Sequence, residues 1–174
     1  ILILGAGTVG TSVAAALASE DNDITVVDTD VPKLRELSEK IDLRTVVGHA
    51  SHPSVLAQAG AEDTELIIAV TNSDEVNMIA CQVADALFRT PTKIARVRDS
   101  EYHAHPELIG RSRSSIDVVI SPEQLVCRHV QRLIEYPGAL QVLDFADGRA
   151  QLVAVRAREG GEKLLADQGR EAFE

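Results

Sequence analysis

Gly5-Ala6-Gly7-Thr8-Val9-Gly10 carries the Gly-x-Gly-x-x-Gly spacing that brings a backbone close to a pyrophosphate. In that reading Gly5 permits the tight turn, Gly7 admits the phosphates, and Gly10 lets a helix pack on a strand. A helix starting here adds free N–H groups and a positive dipole end. Asp28, followed by Thr29, stands 18 residues after Gly10, close to the roughly 20 of a dinucleotide fingerprint. Its carboxylate can accept from both ribose hydroxyls and repels a 2′-phosphate. That favours NAD(H) or an adenine nucleotide over NADP(H). The competing reading is a glycine turn with no ligand. Asp30 reads as a helix cap in preference to a ligand contact.

Other candidate donors lie at expected carboxyl ends of strands, where open α/β sheets bind ligands. Gly48-His49-Ala50-Ser51 would flank an adenine, and Thr71-Asn72-Ser73-Asp74 would face phosphates or the distal ribose. Ser51 and Asn72 serve equally well as helix caps. Arg96 and Arg98 share a strand face; they either pair with surplus carboxylates or take a terminal phosphate, and the phosphate role is favoured. No catalytic residue and no metal ligand is assigned. His103 and His105 have no further ligands at recognisable spacing and read as surface. His129 reads as solvated, and Cys81 and Cys127 as packing residues on helices.

The elements that must position these residues alternate. Apolar runs predict strands at 1–4, 24–27, 43–47, 66–70, 94–97 and 118–120. Between them fall helices after Gly10, a short one with Leu34 and Leu37 on its apolar side and Pro32 near its first turn, one from Ser51 to Ala59 closed by Gly60, and one from an Asn72–Glu75 capping box onward. This is a doubly wound parallel α/β sheet of Rossmann type over 1–120. Ser121-Pro122-Glu123-Gln124 reads as a second capping box, opening a helix over 121–138 that stops at Pro137-Gly138. Leu125, Val126, Val130, Leu133 and Ile134 form its apolar stripe. Two strands around Asp147-Gly148 then begin a small α+β subdomain over 139–174, with a tail from Gly160-Gly161. Ile1 opens inside a strand, so the natural start is expected to precede it.

The 174 residues carry 17 Lys/Arg against 27 Asp/Glu, a formal charge of −10. That balance argues against a duplex nucleic-acid partner, which needs a basic face. The first 90 residues hold 14 acidic and five basic side chains, whereas 91–135 hold six and seven. Donors for an anion must therefore be local. No apolar run approaches the ~20 residues of a spanning helix, so no direct membrane insertion is expected. Two cysteines without a CxxC suggest a reducing compartment. A dehydrogenase needs a substrate domain with an acid or base, and too little chain follows residue 138 to supply a typical one.

The runs ILILGAGTVG, ITVVDTD, GHASHPSVLAQAGAEDTELIIAVTNSDEVNMIACQVA and TKIARVR resemble the RCK/KTN (TrkA-N) family, whose domains regulate potassium channels and transporters. SPEQLVCRHVQRLIEYPGALQVLDF resembles that family's crossover helix leading into its C-terminal (RCK-C) subdomain. The resemblance implies a cytoplasmic, non-enzymatic regulatory subunit at the inner face of the membrane. It implies NAD(H), with ATP or ADP at the same site, and a dimer or tetrameric ring beneath a potassium-transporter subunit of the TrkH or TrkG type. Carried onto this chain, Gly5, Gly7 and Gly10 hold the pyrophosphate and Asp28 the ribose. His49, Ala50 and Ser51 lie by the adenine, Thr71 and Asn72 by the phosphates, and Arg96 and Arg98 by the far phosphate. The family usually carries such units in tandem, so the chain is expected to be a fragment or a shorter relative. The alternative function is an NAD-dependent oxidoreductase domain.

Overall fold

Strands covered on both faces need no polar alternation, and β1 (Leu2–Leu4) is buried throughout. It is followed by α1 (Thr8–Ala18), β2 (Thr25–Asp28), α2 (Val31–Lys40), β3 (Arg44–Val47), α3 (Pro53–Gln58) and β4 (Leu66–Ala69). Next come α4 (Asp74–Val83), which runs on as a π-turn over Ala84–Phe88, then β5 (Thr92–Arg96), α5 (Ser100–His103), α6 (Pro106–Ile109) and β6 (Val118–Ile120). The computed structural model describes residues 1–18, 20, 22–109, 115–136, 139–145 and 150–155.

All neighbouring strands of this sheet are parallel, in the order β3-β2-β1-β4-β5-β6. The winding direction reverses between β1 and β4, which leaves a crevice beyond their carboxyl ends. The two-residue strand period splits the core. Leu2 and Leu4 join Val27, Leu56, Ile67 and Cys81 on one face. Ile3 joins Ala14, Val26, Leu34, Leu37 and Ile68 on the other. At the far edge, buried Lys93 sits between Asp85 and Asp117, 3.1 Å from each, and donates to the Thr90 carbonyl. That network ties the π-turn, β5 and the approach to β6 together.

Helix starts or caps differ from expectation at three places. The helix before Gly60 begins at Pro53, with His52 rather than Ser51 at its cap and no side-chain capping bond. Gly60 closes it at φ +87°, a left-handed position that favours glycine. α4 is capped by Ser73, not Asn72: the Ser73 hydroxyl accepts from Val76 N at 3.2 Å. Both residues suit the role, and the extended backbone at Ser73 decides it. Ser121 is buried and its hydroxyl has no partner, so it makes no capping bond. Asp30 does cap α2, accepting from Lys33 N. The short α5 and α6 were not anticipated.

The chain divides into two compact units, Ile1–Pro122 and Glu123–Glu174. The second contains α7 (Pro122–Glu135) beyond its first residue, and the antiparallel pair β7 (Ala139–Phe145) and β8 (Ala150–Val155). Val126, Val130 and Ile134 are exposed on α7. So is Cys127, which corrects its reading as a packing residue. Pro137-Gly138, Asp147-Gly148 and the tail from Gly160 lie outside the described residues.

Candidate functional site

The three glycines of the first turn answer to different demands. Gly5 has φ +109°, and a Cβ there would stand 3.0 Å from Val70 O and from Thr71 N and Cα. The turn therefore presses against the end of β4. At Gly10 a Cβ would fall 1.8 Å from Gly5 O, so helix and turn close on each other only without a side chain. At Gly7 a Cβ would meet nothing within 4 Å. The protein's own packing does not require glycine there; a phosphate lying over the turn would. α1 carries no acidic residue in its first turn. Its opening N–H groups thus meet no carboxylate from their own helix.

Asp28 ends β2 and braces this turn. Its Oδ2 accepts from Ala6 N at 2.6 Å and its Oδ1 from Asp30 N at 2.8 Å. Each oxygen retains acceptor capacity, so the carboxylate can hold the turn and still receive hydroxyls.

A cleft of about 440 Å³ opens over the switch point. Of the residues expected at a site, Gly5, Gly7, Thr8, Val9, Asp28, Thr29, His49, Ala50, Thr71, Asn72 and Arg96 line it. Ala6, Gly10, Ser51, Ser73 and Arg98 do not. Ala6 gives its N–H to Asp28, and Gly10 provides the close packing. Ser51 hydrogen-bonds His49 Nδ1 at 3.0 Å, and Ser73 caps α4. Arg98 takes the carboxylate alternative: its Nε lies 3.3 Å from Asp74 Oδ1 and its Nη2 donates to Asn72 O. Arg96 is the arginine at the cleft, and its Nε is buried with no partner. Arg96 and the glycine turn line the same cleft, and a guanidinium there suits an anionic group. Gly7 and Arg96 together fit a phosphorylated ligand.

Sequence reasoning passed over Lys33 and Asn77, and placed Asp74 in the segment facing phosphates or the distal ribose. Lys33 lines the cleft and pairs with Asp30 at 3.0 Å. Asp74 is buried; its Oδ2 accepts from Arg98 N at 2.7 Å and Asp99 N at 2.9 Å. Burial alone raises its carboxyl pKa, but those backbone donors and the Arg98 guanidinium outweigh it and hold the group below its ordinary value. Asn77 is fully buried. The available signal was its position: on α4 it shares a face with Ala80, Cys81 and Ala84, where a polar residue needs a partner.

Among the described residues no group of three or more His, Cys, Asp or Glu is arranged to hold a metal ion. His103 bonds Val97 O and His105 bonds Glu107. Burial pushes the Cys81 thiol up to about 12, which leaves no thiolate near neutral pH.

A parallel sheet in this order, with a glycine turn after β1 and an acidic residue ending β2, defines a dinucleotide-type Rossmann fold. Residues 1–122 match the TrkA-N domain family, and the chain belongs to it. It is 62% identical over 161 residues to the Trk system potassium uptake protein TrkA of Halomonas elongata, covering 92% of this chain and 35% of that protein. The Haemophilus influenzae protein of the same name is 55% identical over 162 residues, with 92% and 35% covered. The chain thus spans 35% of the length of these relatives. Among solved structures, the TrkA-N domain of the Escherichia coli inner membrane protein ybaL superposes with a TM-score of 0.65 at 24% identity, covering 76% of this chain and 94% of that one. The GsuK channel bound to NAD gives 0.66 at 20%, covering 84% and 25%. GsuK bound to ADP gives 0.60 at 23%, covering 73% and 32%. No helix among the described residues is long and apolar enough to cross a membrane.

Proposed function

We propose that this chain is the nucleotide-sensing part of a non-enzymatic regulatory subunit for potassium uptake. It binds NAD(H), and ATP or ADP at the same site. The observation that carries the reading is the cleft at the β1–β4 switch point, with Gly7 open above its turn and Arg96 on its lining. In this assignment Gly5, Ala6, Gly7, Thr8, Val9 and Gly10 form the pyrophosphate turn, and Asp28 with Thr29 receives the adenosine ribose. His49, Ala50 and Ser51 border the adenine. Thr71, Asn72 and Ser73 shape the opposite wall, and Arg96 meets the distal phosphate or ribose. Arg98 acts from behind, through Asp74.

The names of the relatives and the NAD- and ADP-bound states of GsuK support this reading. The partner it implies is a membrane potassium-transporter subunit of the TrkH or TrkG type, met from the cytoplasmic side by a dimer or tetrameric ring. The exposed Val126, Val130 and Ile134 on α7 suit self-association. A nucleotide regulates such an assembly only by favouring one conformation over another.

Calorimetric titration with NADH, NAD, ATP and ADP is the test. Binding to the unmodified chain is expected, and Asp28→Ala should weaken NADH by roughly tenfold or more, as losing a charged acceptor does. Affinity for none of the four overturns the proposal. Steady NADH absorbance with a panel of small carbonyl compounds is expected; hydride transfer to any of them returns the oxidoreductase reading.

A further inference from the structure

We infer that Asn77 is a positioning residue that splits β4 from β5 and so sets the half of the cleft beyond the glycine turn. The inference rests on the nucleotide reading above. Ladder pairing between the two strands runs to Ala69 opposite Ala95. One step further on, the Asn77 amide takes the place of the ladder bonds. Its Oδ1 accepts from Thr71 N at 2.9 Å and from the Thr71 hydroxyl at 2.7 Å. Its Nδ2 donates to Arg96 O at 2.8 Å and to Thr71 O at 3.4 Å. An asparagine side chain offers two acceptor sites and two donors; here both donors and one acceptor site are engaged, and the other acceptor site shares the Thr71 hydroxyl proton with Ser73 O at 3.1 Å.

The geometry has a consequence for the ligand. Thr71 and Arg96 both line the cleft. Their backbones are held apart by a fully buried side chain that belongs to α4, not to the sheet. Without it, the ends of β4 and β5 are free to close on each other or to drift. The Arg96 guanidinium then loses its fixed place relative to the turn. The adenosine side is held by Asp28 bonded to Ala6 and Asp30, residues that Asn77 does not touch; its link to Asn77 is the packing of Thr71 against Gly5. Asn77 therefore governs ligands that extend past the turn, a dinucleotide above all, and leaves a mononucleotide largely alone.

The test compares NADH with AMP on the unmodified chain and on Asn77→Asp. That substitution keeps the shape and the acceptor toward Thr71 but turns an oxygen toward the Arg96 carbonyl. NADH affinity is expected to fall roughly tenfold or more, the effect of leaving a buried partner unmade. AMP should stay within about twofold, inside the scatter expected of sites that do not couple. Equal losses for both ligands, or no loss for either, overturn the inference. If the unmodified chain binds neither ligand, the nucleotide reading falls and this inference with it; if it binds both and Asn77→Asp changes neither, only this inference falls. A measurement free of any folding defect uses the unmodified protein without ligand. The Thr71 amide, whose acceptor is a side chain outside the ladder, should exchange its hydrogen slowly, and fast exchange there also overturns the wedge.

Discussion

Gly7 and Gly10 stand in one turn and answer to different constraints. A methyl group at position 10 collides with the Gly5 carbonyl, whereas one at position 7 meets nothing. Gly10→Ala is therefore expected to lower stability by about 1–3 kcal/mol, as overpacking does, and to lower the melting temperature. Gly7→Ala should leave the melting temperature unchanged or slightly raised, because it strains nothing and restricts the unfolded chain. Its cost should appear in calorimetry, as weakened NADH binding. A Gly7→Ala chain with full NADH affinity would remove the pyrophosphate from this turn. The cysteines part in the same way. Cys127 is exposed and Cys81 is buried with its thiol raised to about 12. Under native conditions a thiol reagent should modify Cys127 alone, with Cys81 reacting only after denaturation, as mass spectrometry of the labelled peptides would show.

At the scale of elements, α4 is fastened to the end of β5 through Asp74. The carboxylate accepts from Arg98 N and Asp99 N and pairs with the Arg98 guanidinium. Its folded pKa lies below the ordinary 3.8. Its stabilisation is therefore complete above about pH 4 and is lost as pH falls through the folded value. Asp74→Asn should cost roughly 1–3 kcal/mol near neutrality. The gap from the unmodified chain should narrow in more acidic buffer, measured by denaturant unfolding at stepped pH. A gap that stayed constant into acid would assign the loss to packing instead of charge. This fastening was not legible in the sequence, and the reason is distance. Asp74 lies 24 residues from Arg98, and Asn77 lies 19 from Arg96. By contrast, the β/α alternation, the glycine turn and the Asp30 cap were legible because each is written in neighbouring residues. Ser73 against Asn72 as a cap is a one-residue choice that backbone conformation settles. α5 and α6, four residues each, are too short to show a period.

Across the whole molecule, the six-stranded sheet is complete within Ile1–Pro122, and every cleft residue lies there. Among the described residues β7 and β8 pair only with each other. A ligand that binds only the folded first unit stabilises that unit by mass action, by about 2.7 kcal/mol at a hundredfold excess over Kd. In scanning calorimetry the transition of the first unit should move up by several degrees with NADH, while the transition of the second stays in place. If both moved together, the two units would share one cooperative transition. The decisive comparison is then a chain cut after Pro122. Because each ligand-facing group named above precedes the cut, the shortened chain should bind NADH with the affinity of the longer one. A shortened chain that folds but loses NADH would mean that residues beyond Pro122 complete the site.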